Sequence, residues 1–499
     1  MSRKKNSTHS IWITLAILSS IATISMYTET MLLPALPQLI HEFNLSYNTS
    51  SWILSAYLVA GAVMTPVSGK LSDVYGKKKI MIILISIYTV GLIISPFSSN
   101  FMMLLISRIL QGIGISVFPV TFGLIREQFP RNKLAVSQGI ISSMFAGGSV
   151  LGLAIGGTIV QYFGWRLTFF SIIPIAIILI FIILRFIPKE KNIHEVSNTN
   201  KDGSRQKFDL RGAILLGVTI TTFLLFITSL RTDSFDNNDK QLNLFGIPNS
   251  AVIFFIIFVA SFITFFLLER KTKAPLISSQ LFLDRRILSS NIILLIVGMS
   301  MFTIFQTLPI LAQSPYPVGF DNSAIQMSLV QLPFALVLLI LGPLVGVIIT
   351  KIGQTTPLVI GTIAMSLGFF LLFFIRPNEF YISLYLVIIS IGISLANVSS
   401  TNIVMMQSSF NQIGISLGIS NLLRIIGSSI GPTIAGLFMQ THLFLIDSHN
   451  NQFHYFPSSL AYDLIFGTML GLSLSALCIS LFLIKNRLKN ENNFRSDSN

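Results

Sequence analysis

Residues 52–79 read WILSAYLVAGAVMTPVSGKLSDVYGKKK. From Trp52 to Gly69 there is no charged residue, and then Lys70, Asp73, Lys77, Lys78 and Lys79 follow within ten positions. An apolar stretch of about 20 residues matches the hydrocarbon thickness of a bilayer, and a basic cluster at its end marks the cytoplasmic face. The whole chain repeats this design. Of its 499 residues 52% are hydrophobic and 10% charged, against about 25% charged in a soluble domain. That excludes a cytosolic enzyme, a secreted domain and a disordered scaffold. A single cysteine, Cys478, excludes a disulfide framework and a cysteine-ligated zinc site.

Fourteen apolar runs are long enough to span: 11–36, 52–71, 80–98, 101–123, 136–160, 168–187, 211–230, 249–268, 289–311, 326–349, 357–375, 380–404, 414–440 and 463–484. The expected fold class is an all-α polytopic membrane protein. The first run lacks a small-residue cleavage site and is expected to be a span, not a removable leader. With the amino end inside, 27 of the 33 basic residues fall on the cytoplasmic side and only Arg166, Arg231, Lys240 and Arg376 on the outer side. Arg108 and Arg424 lie within spans. This bias predicts a plasma-membrane protein with both termini cytoplasmic. It also assigns the net charge of +14 to lipid headgroups rather than nucleic acid. The outer segment 442–457 holds His442, His449 and His454, which lack the tight spacing of metal ligands, so no metal is expected.

The sequence also carries an internal repeat. Pro66, Gly69 and Gly76 recur as Pro343, Gly346 and Gly353, an offset of 277. Gly148, Gly152 and Gly157 recur as Gly427, Gly431 and Gly436, an offset of 279. The expected organisation is an amino tail (1–10), a six-helix half (11–187), a polar linker (188–210), two inserted helices (211–268), a second six-helix half (289–484) and a carboxyl tail (485–499). Paired halves of this kind are a transporter plan.

Ionisable groups within hydrocarbon cost at least about 2.5–3.5 kcal/mol on insertion scales, so each demands a reason. Three lie well inside spans: Glu29, Arg108 and Arg424. Glu29 and Arg108 each stand about eight residues from the outer end of their span, roughly 12 Å deep. Equal depth permits a fixed ion pair that ties two helices, or a carboxylate in a shared aqueous path that binds and releases a proton, or one that meets cationic substrates. For Arg424 two roles are open, an anionic substrate group or neighbouring carbonyls.

Residues 69–79, GKLSDVYGKKK, resemble the signature loop between the second and third spans of the major facilitator superfamily. Arg108, Gln111, Gly112 and Gly114 resemble that family's span-four motif, whose arginine is implicated in proton coupling. Gly148, Gly152, Gly156 and Gly157 resemble its span-five antiporter motif. The pairs Ser51-Trp52 and Ala56-Tyr57, the segments Leu33 to Pro37, Gly164 to Arg166, Phe208 to Gly212 and Ala274 to Leu276, and the set Asn421, Arg424, Gly427 look like the fourteen-span drug:proton antiporter branch. Two departures stand out. Leu153 replaces the motif proline, which the second copy keeps as Pro432, and the branch's span-one aspartate falls at Thr28, one position before Glu29.

The resemblance implies two six-helix halves plus two inserted helices, and a proton-coupled exporter of lipophilic compounds, cationic ones included, working by alternating access without a cofactor. Glu29 and Arg108 would couple the proton. Gly69, Asp73, Gly76, Lys77, Gly148, Gly152, Gly156 and Gly157 would serve conformational gating. Tyr57, Gln306, Gln331, Asn397, Asn402, Asn421 and Arg424 would line the substrate cavity. The expected partners are a small-molecule substrate, protons and membrane lipid, with the chain a monomer. No GxxxxGK[ST] loop and no catalytic constellation occurs, so neither an ATP-driven pump nor an enzyme is expected. The rival readings are a proton-coupled importer or exporter of one metabolite, and a non-transporting sensor.

Overall fold

The computed structural model describes residues 2–128, 134–187, 210–229, 249–271, 284–408, 413–448 and 452–496. Its first half contains α1 (Ser2–Thr30), α2 (Leu36–Glu42), α3 (Tyr47–Ser50), α4 (Trp52–Tyr75), α5 (Lys77–Ile94), α6 (Phe101–Ile115), α7 (Val117–Gln128), α8 (Leu134–Phe163) and α9 (Trp165–Phe186). Two helices follow, α10 (Leu210–Ser229) and α11 (Asn249–Lys271). The second half contains α12 (Arg285–Gln313), α13 (Ala324–Ile352), α14 (Thr355–Phe374), α15 (Glu379–Gln407), α16 (Ile413–Thr441) and α17 (Ser459–Ser496). Among the described residues thirteen helical segments are long and apolar enough to cross a bilayer, and α10 contains a shorter apolar stretch, Ile214–Ile227, where a fourteenth span was expected.

Local chemistry sets the helix ends. Asn100 accepts from the Met103 N–H at 2.9 Å, Ser323 and Gln326 form a reciprocal capping box, and Asn378 caps α15 through the Tyr381 N–H. Each supplies an acceptor to an N–H that the helix leaves unpaired. Gly76 (φ 92°) ends α4 and Gly353 (φ 78°) ends α13, a backbone region that glycine enters without a Cβ penalty.

Several boundaries differ from the sequence expectation. The expected single span over 101–123 is interrupted at Ser116, whose carbonyl accepts from the Ser68 hydroxyl at 2.6 Å. The first helix stops at Thr30, and Pro34 lies in a short 3₁₀ turn before α2. Helix runs beyond the expected ends of the first and last spans, into 2–10 and 485–496. The segment 442–457, read as a loop, contains an antiparallel hairpin of β1 (Leu443–Ser448) and β2 (Gln452–Pro457). The apolar run Leu443 to Ile446 and the aromatic residues Phe453, Tyr455 and Phe456 are of the types that strands favour. The linker 188–209 and His449 lie outside the described residues.

The two halves repeat one another contact for contact. On α8, Gly148 meets the Thr23 carbonyl and Gly152 meets Tyr27 and Thr30. On α16, Gly427 meets the Leu295 carbonyl and Gly431 meets Met299 and Thr303. Glycines offset by 279 thus meet α1 and α12 positions offset by 272 or 273. Gly157 approaches Ala324 and Ser328 of α13, and Gly436 approaches Tyr47 and Ser51 at the head of α4, an offset of 277. Gly91 and Gly368 repeat the relation, against Ser107 and Gln111 and against Tyr385 and Ile389. A Cβ on any of the six glycines of α8 and α16 would come within 2.0–2.8 Å of its nearest neighbour. Helices that approach this closely gain dispersion contact in a medium without a hydrophobic drive between them.

The inserted pair packs outside this frame, at the seam. Leu216, Ile220 and Leu224 with Phe265 lie against Val59 and Ala62 of α4 and Leu422 of α16. Phe255, Phe262 and Phe266 of α11 remain exposed, as an apolar lipid-facing surface requires.

Candidate functional site

Both termini lie at one end of the bundle, and the two halves meet at the other. Gln306 Nε2 donates to Ser50 Oγ at 3.1 Å, Gln313 Nε2 to the Pro34 carbonyl at 2.9 Å and the Ala324 N–H to Gln161 Oε1 at 3.0 Å. The Tyr47 N–H donates to Gln440 Oε1 at 3.0 Å, and Ser55 Oγ donates to the Ser429 carbonyl at 2.9 Å. Tyr47 also donates its hydroxyl to the Tyr455 carbonyl of the hairpin. Gly157 and Gly436 bring the backbones together at the same level. Gly342 and Gly346 have nothing within 4 Å of where a Cβ would stand, on a stretch of α13 whose Ile340, Leu344 and Val347 are exposed. The fold therefore stands closed at the end away from the termini.

Beneath the seal lies a buried polar group of the first half. Glu29 is 1% exposed and its Oε1 has no hydrogen-bond partner. Arg108, fully buried, donates from Nε to the Ile53 carbonyl at 3.0 Å and from Nη1 to Gln111 Oε1 at 2.8 Å. Its guanidinium carbon stands 4.5 Å from the centroid of the Tyr57 ring, within cation–π range. Its Nη2 has no partner. Gln111 Nε2 continues the chain to Ser95 Oγ at 2.8 Å, and Ser95 to Ser107 at 2.9 Å. Tyr88 donates to Thr28 Oγ1 at 2.7 Å, one residue before Glu29.

The direct Glu29–Arg108 ion pair that equal depth permits is not formed within 4 Å. Arg108 instead spends its donors on its own helix and on α4, while its charge and that of Arg424 act on Glu29 across a gap. A charge held in low dielectric must be met by an opposite charge, by water or by a proton. The Glu29 carboxyl is thus placed to exchange one for another.

The other expected residues divide between seal, helix contacts and site. Tyr57 joins the site through its ring. Gln306 belongs to the seal by its Nε2, and its Oε1 is unpartnered; Gln331 is buried with both amide atoms unpartnered. Arg424 is half-buried and donates from Nη2 to Asn421 Oδ1 at 2.9 Å. Asn397 and Asn402 are half-buried on α15. Among the gating candidates, Gly69 sits 3.5 Å from Pro119, Gly156 packs on Met31, and Lys77 is buried with its alkyl stem on Gly123. The Asp73 side chain lies outside the described residues. Tyr88, Gln111, Ser95 and Ser107 were missed as site residues, although Gln111 stands three positions from Arg108, on one helix face.

The whole arrangement matches a known pattern: the model of the Major Facilitator Superfamily covers residues 18–432. The chain belongs to the major facilitator superfamily. This superfamily member is a multi-pass membrane transporter, not an enzyme. It is 27% identical over 428 residues to multidrug resistance protein 3 of Bacillus subtilis (strain 168), across 84% of this chain and 78% of that protein. It is 28% identical over 283 residues to the riboflavin transporter RibZ of Clostridioides difficile (strain 630), across 56% of each. Its fold resembles the crystal structure of the nucleoside transporter NupG with a TM-score of 0.61 and 11% identity, covering 93% of this chain and 98% of that one. Gly76 forms the turn between α4 and α5, Gly69 lies within α4 and Lys77 opens α5, while Gly148, Gly152 and Gly156 seat α8 on α1.

Proposed function

We propose that the protein is a proton-coupled exporter of lipophilic small molecules, a drug:proton antiporter working by alternating access in the cell membrane. The observation that carries this reading is the buried Glu29 carboxyl, with Oε1 unpartnered and no ion pair within 4 Å, in the same half as the buried Arg108. Such a group changes its protonation when its surroundings change from closed to wetted. The basic-residue bias puts both termini in the cytoplasm, so the closed end is the outer one and this conformation faces inward. Substrate enters from the inner side, competes with the proton at Glu29, and leaves after the halves rock. Protonation from outside then neutralises the carboxyl and permits return. The relatedness to a multidrug resistance protein favours export of apolar compounds. The relatedness to a riboflavin transporter favours a second reading, transport of one metabolite.

Reconstituted proteoliposomes under an imposed pH gradient, loaded in turn with dyes, quaternary ammonium compounds and flavins, separate the readings. Glu29→Gln is expected to abolish gradient-driven flux while membrane insertion is unchanged. Normal proton-driven flux in that variant would remove Glu29 from the mechanism, and flux of a flavin alone would install the metabolite reading.

A further inference from the structure

Arg108 and Arg424 are used in opposite ways. Arg108 is fully buried, with Nε and Nη1 engaged and its plane over Tyr57. Arg424, on α16, is held at a single point, Nη2 on Asn421 Oδ1, and no other of its donors has a partner among the described residues. It forms no ion pair with Glu29 within 4 Å, and its level is set by its neighbours on α16: Leu422 packs against Val59 of α4 and the Ser429 carbonyl accepts from Ser55, so Arg424 stands level with the stretch of α4 that holds Tyr57. Arg424 is partly buried, and about one turn and a half along α16 Gly418 has nothing within 4 Å of a Cβ position. This is a guanidinium with open donors beneath the seal that Ser55 and Ser429 help to form.

Charge arithmetic constrains what can bind there. Two guanidinium groups face one carboxyl, an excess of one positive charge, so a bare cation is repelled by Arg424 as it approaches Glu29. A bare anion would be welcomed by Arg424, but it would bind best with Glu29 protonated. That would make substrate and proton travel together. Exchange requires a positive group on the substrate that displaces the proton, with a negative group to occupy Arg424. A guanidinium takes a carboxylate through two parallel N–H···O bonds, a stronger and more oriented contact than a neutral group makes.

We infer that Arg424, steadied by Asn421, is the docking group for a carboxylate on the transported compound, and that the substrates are amphiphilic zwitterions whose cationic end meets Glu29. The assignment of Glu29 rests on the proposed antiport, whereas the Arg424 contact stands on its own geometry. The two ends of the site lie on different halves, α1 and α16, so one extended zwitterion spans both halves.

Rhodamine 110 and rhodamine 123 form a matched probe pair, since the second is the methyl ester of the first and lacks only the carboxylate. Fluorescence anisotropy with the detergent-purified full chain reads binding without any flux. The free acid is expected to bind about tenfold or more tightly than the ester, the scale of one charge-assisted contact. Arg424→Gln is expected to erase that preference by weakening the acid and, with the repulsion of a bare cation removed, leaving the ester bound as tightly as in wild type or more so; the thermal midpoint in detergent reports separately that the variant is folded. Arg424→Lys should restore part of it. Equal binding of acid and ester to wild type, no binding of the acid, or an unchanged preference in Arg424→Gln overturns the inference. Loss of pH-driven dye flux with the binding preference intact instead overturns the antiport reading.

Discussion

The two halves of this transporter agree in their backbone contacts and disagree in their charges. Gly148, Gly152 and Gly157 meet their neighbours in the register that Gly427, Gly431 and Gly436 repeat. At the offsets of 272, 277 and 278 read from the matched contacts, Glu29 corresponds to Met301, Tyr57 to Phe334, Tyr88 to Met365, Arg108 to Leu386 and Gln111 to Ile389. All five counterparts are apolar and buried. In the other direction Arg424 corresponds to Phe145, at the offset of 279. The close glycine contacts are shared by both halves, whereas the buried polar group belongs to the first half alone. On the proposed mechanism the first would let two rigid bodies rock and the second would couple the motion to a proton.

Making the halves alike tests that division most severely. The double variant Glu29→Met, Arg108→Leu installs the residues that the second half carries. It is expected to lower gradient-driven flux by about a hundredfold or more, the loss of an essential proton group. Its thermal midpoint should stay level or rise, because unpartnered buried charges cost stability. Flux in proteoliposomes and a thermal melt in detergent check the two halves of the statement. A folded variant that still couples would place the coupling outside this cluster.

Gly152→Ala and Gly431→Ala are expected to act alike, each cutting turnover by about tenfold. The added methyl would stand 2.0 Å from Thr30 Oγ1 in the first case and 2.5 Å from the Met299 carbonyl in the second. Either must push two helices apart, on the scale of about 1–3 kcal/mol for overpacking. Markedly unequal losses, in flux assays matched for protein amount, would show that the symmetry is geometric only. The smallest effect should come from Leu153→Pro, since α16 carries Pro432 at the matching place within an unbroken helix. Membrane helices tolerate proline where neighbours absorb the freed carbonyl, so turnover is expected within about twofold of wild type. A loss beyond tenfold would mean that α8 depends on the unbroken ladder that Leu153 provides.

Much of this was legible residue by residue. Apolar runs give spans because a bilayer sets a minimum length. The recurrence of Pro66 and Gly76 as Pro343 and Gly353 survives as two matched helix ends with left-handed glycines. The α8 glycines are legible because only the absence of a side chain allows their contacts. The seal was much less legible. Ser50, Ser55, Gln161, Gln313 and Gln440 are ordinary polar residues on separate helices, and nothing in their spacing distinguishes them from solvent-facing neighbours. The hairpin was missed because two six-residue strands are outweighed by the polar residues between them.

Length, apolar pattern and glycine spacing along the chain were enough for the polytopic all-α fold and its twofold plan, because the bilayer's thickness acts on each segment separately; the direction of the spans stays an expectation of the basic-residue bias. Depth along a helix axis also follows from counting residues, and it placed Glu29 and Arg108 at one level. Rotation about each axis and distance between axes do not follow from counting. They come from the packing of all the helices at once, and they turned Arg108 onto Tyr57, Ile53 and Gln111, left Glu29 Oε1 without a donor, and held Arg424 through Asn421 alone among the described residues.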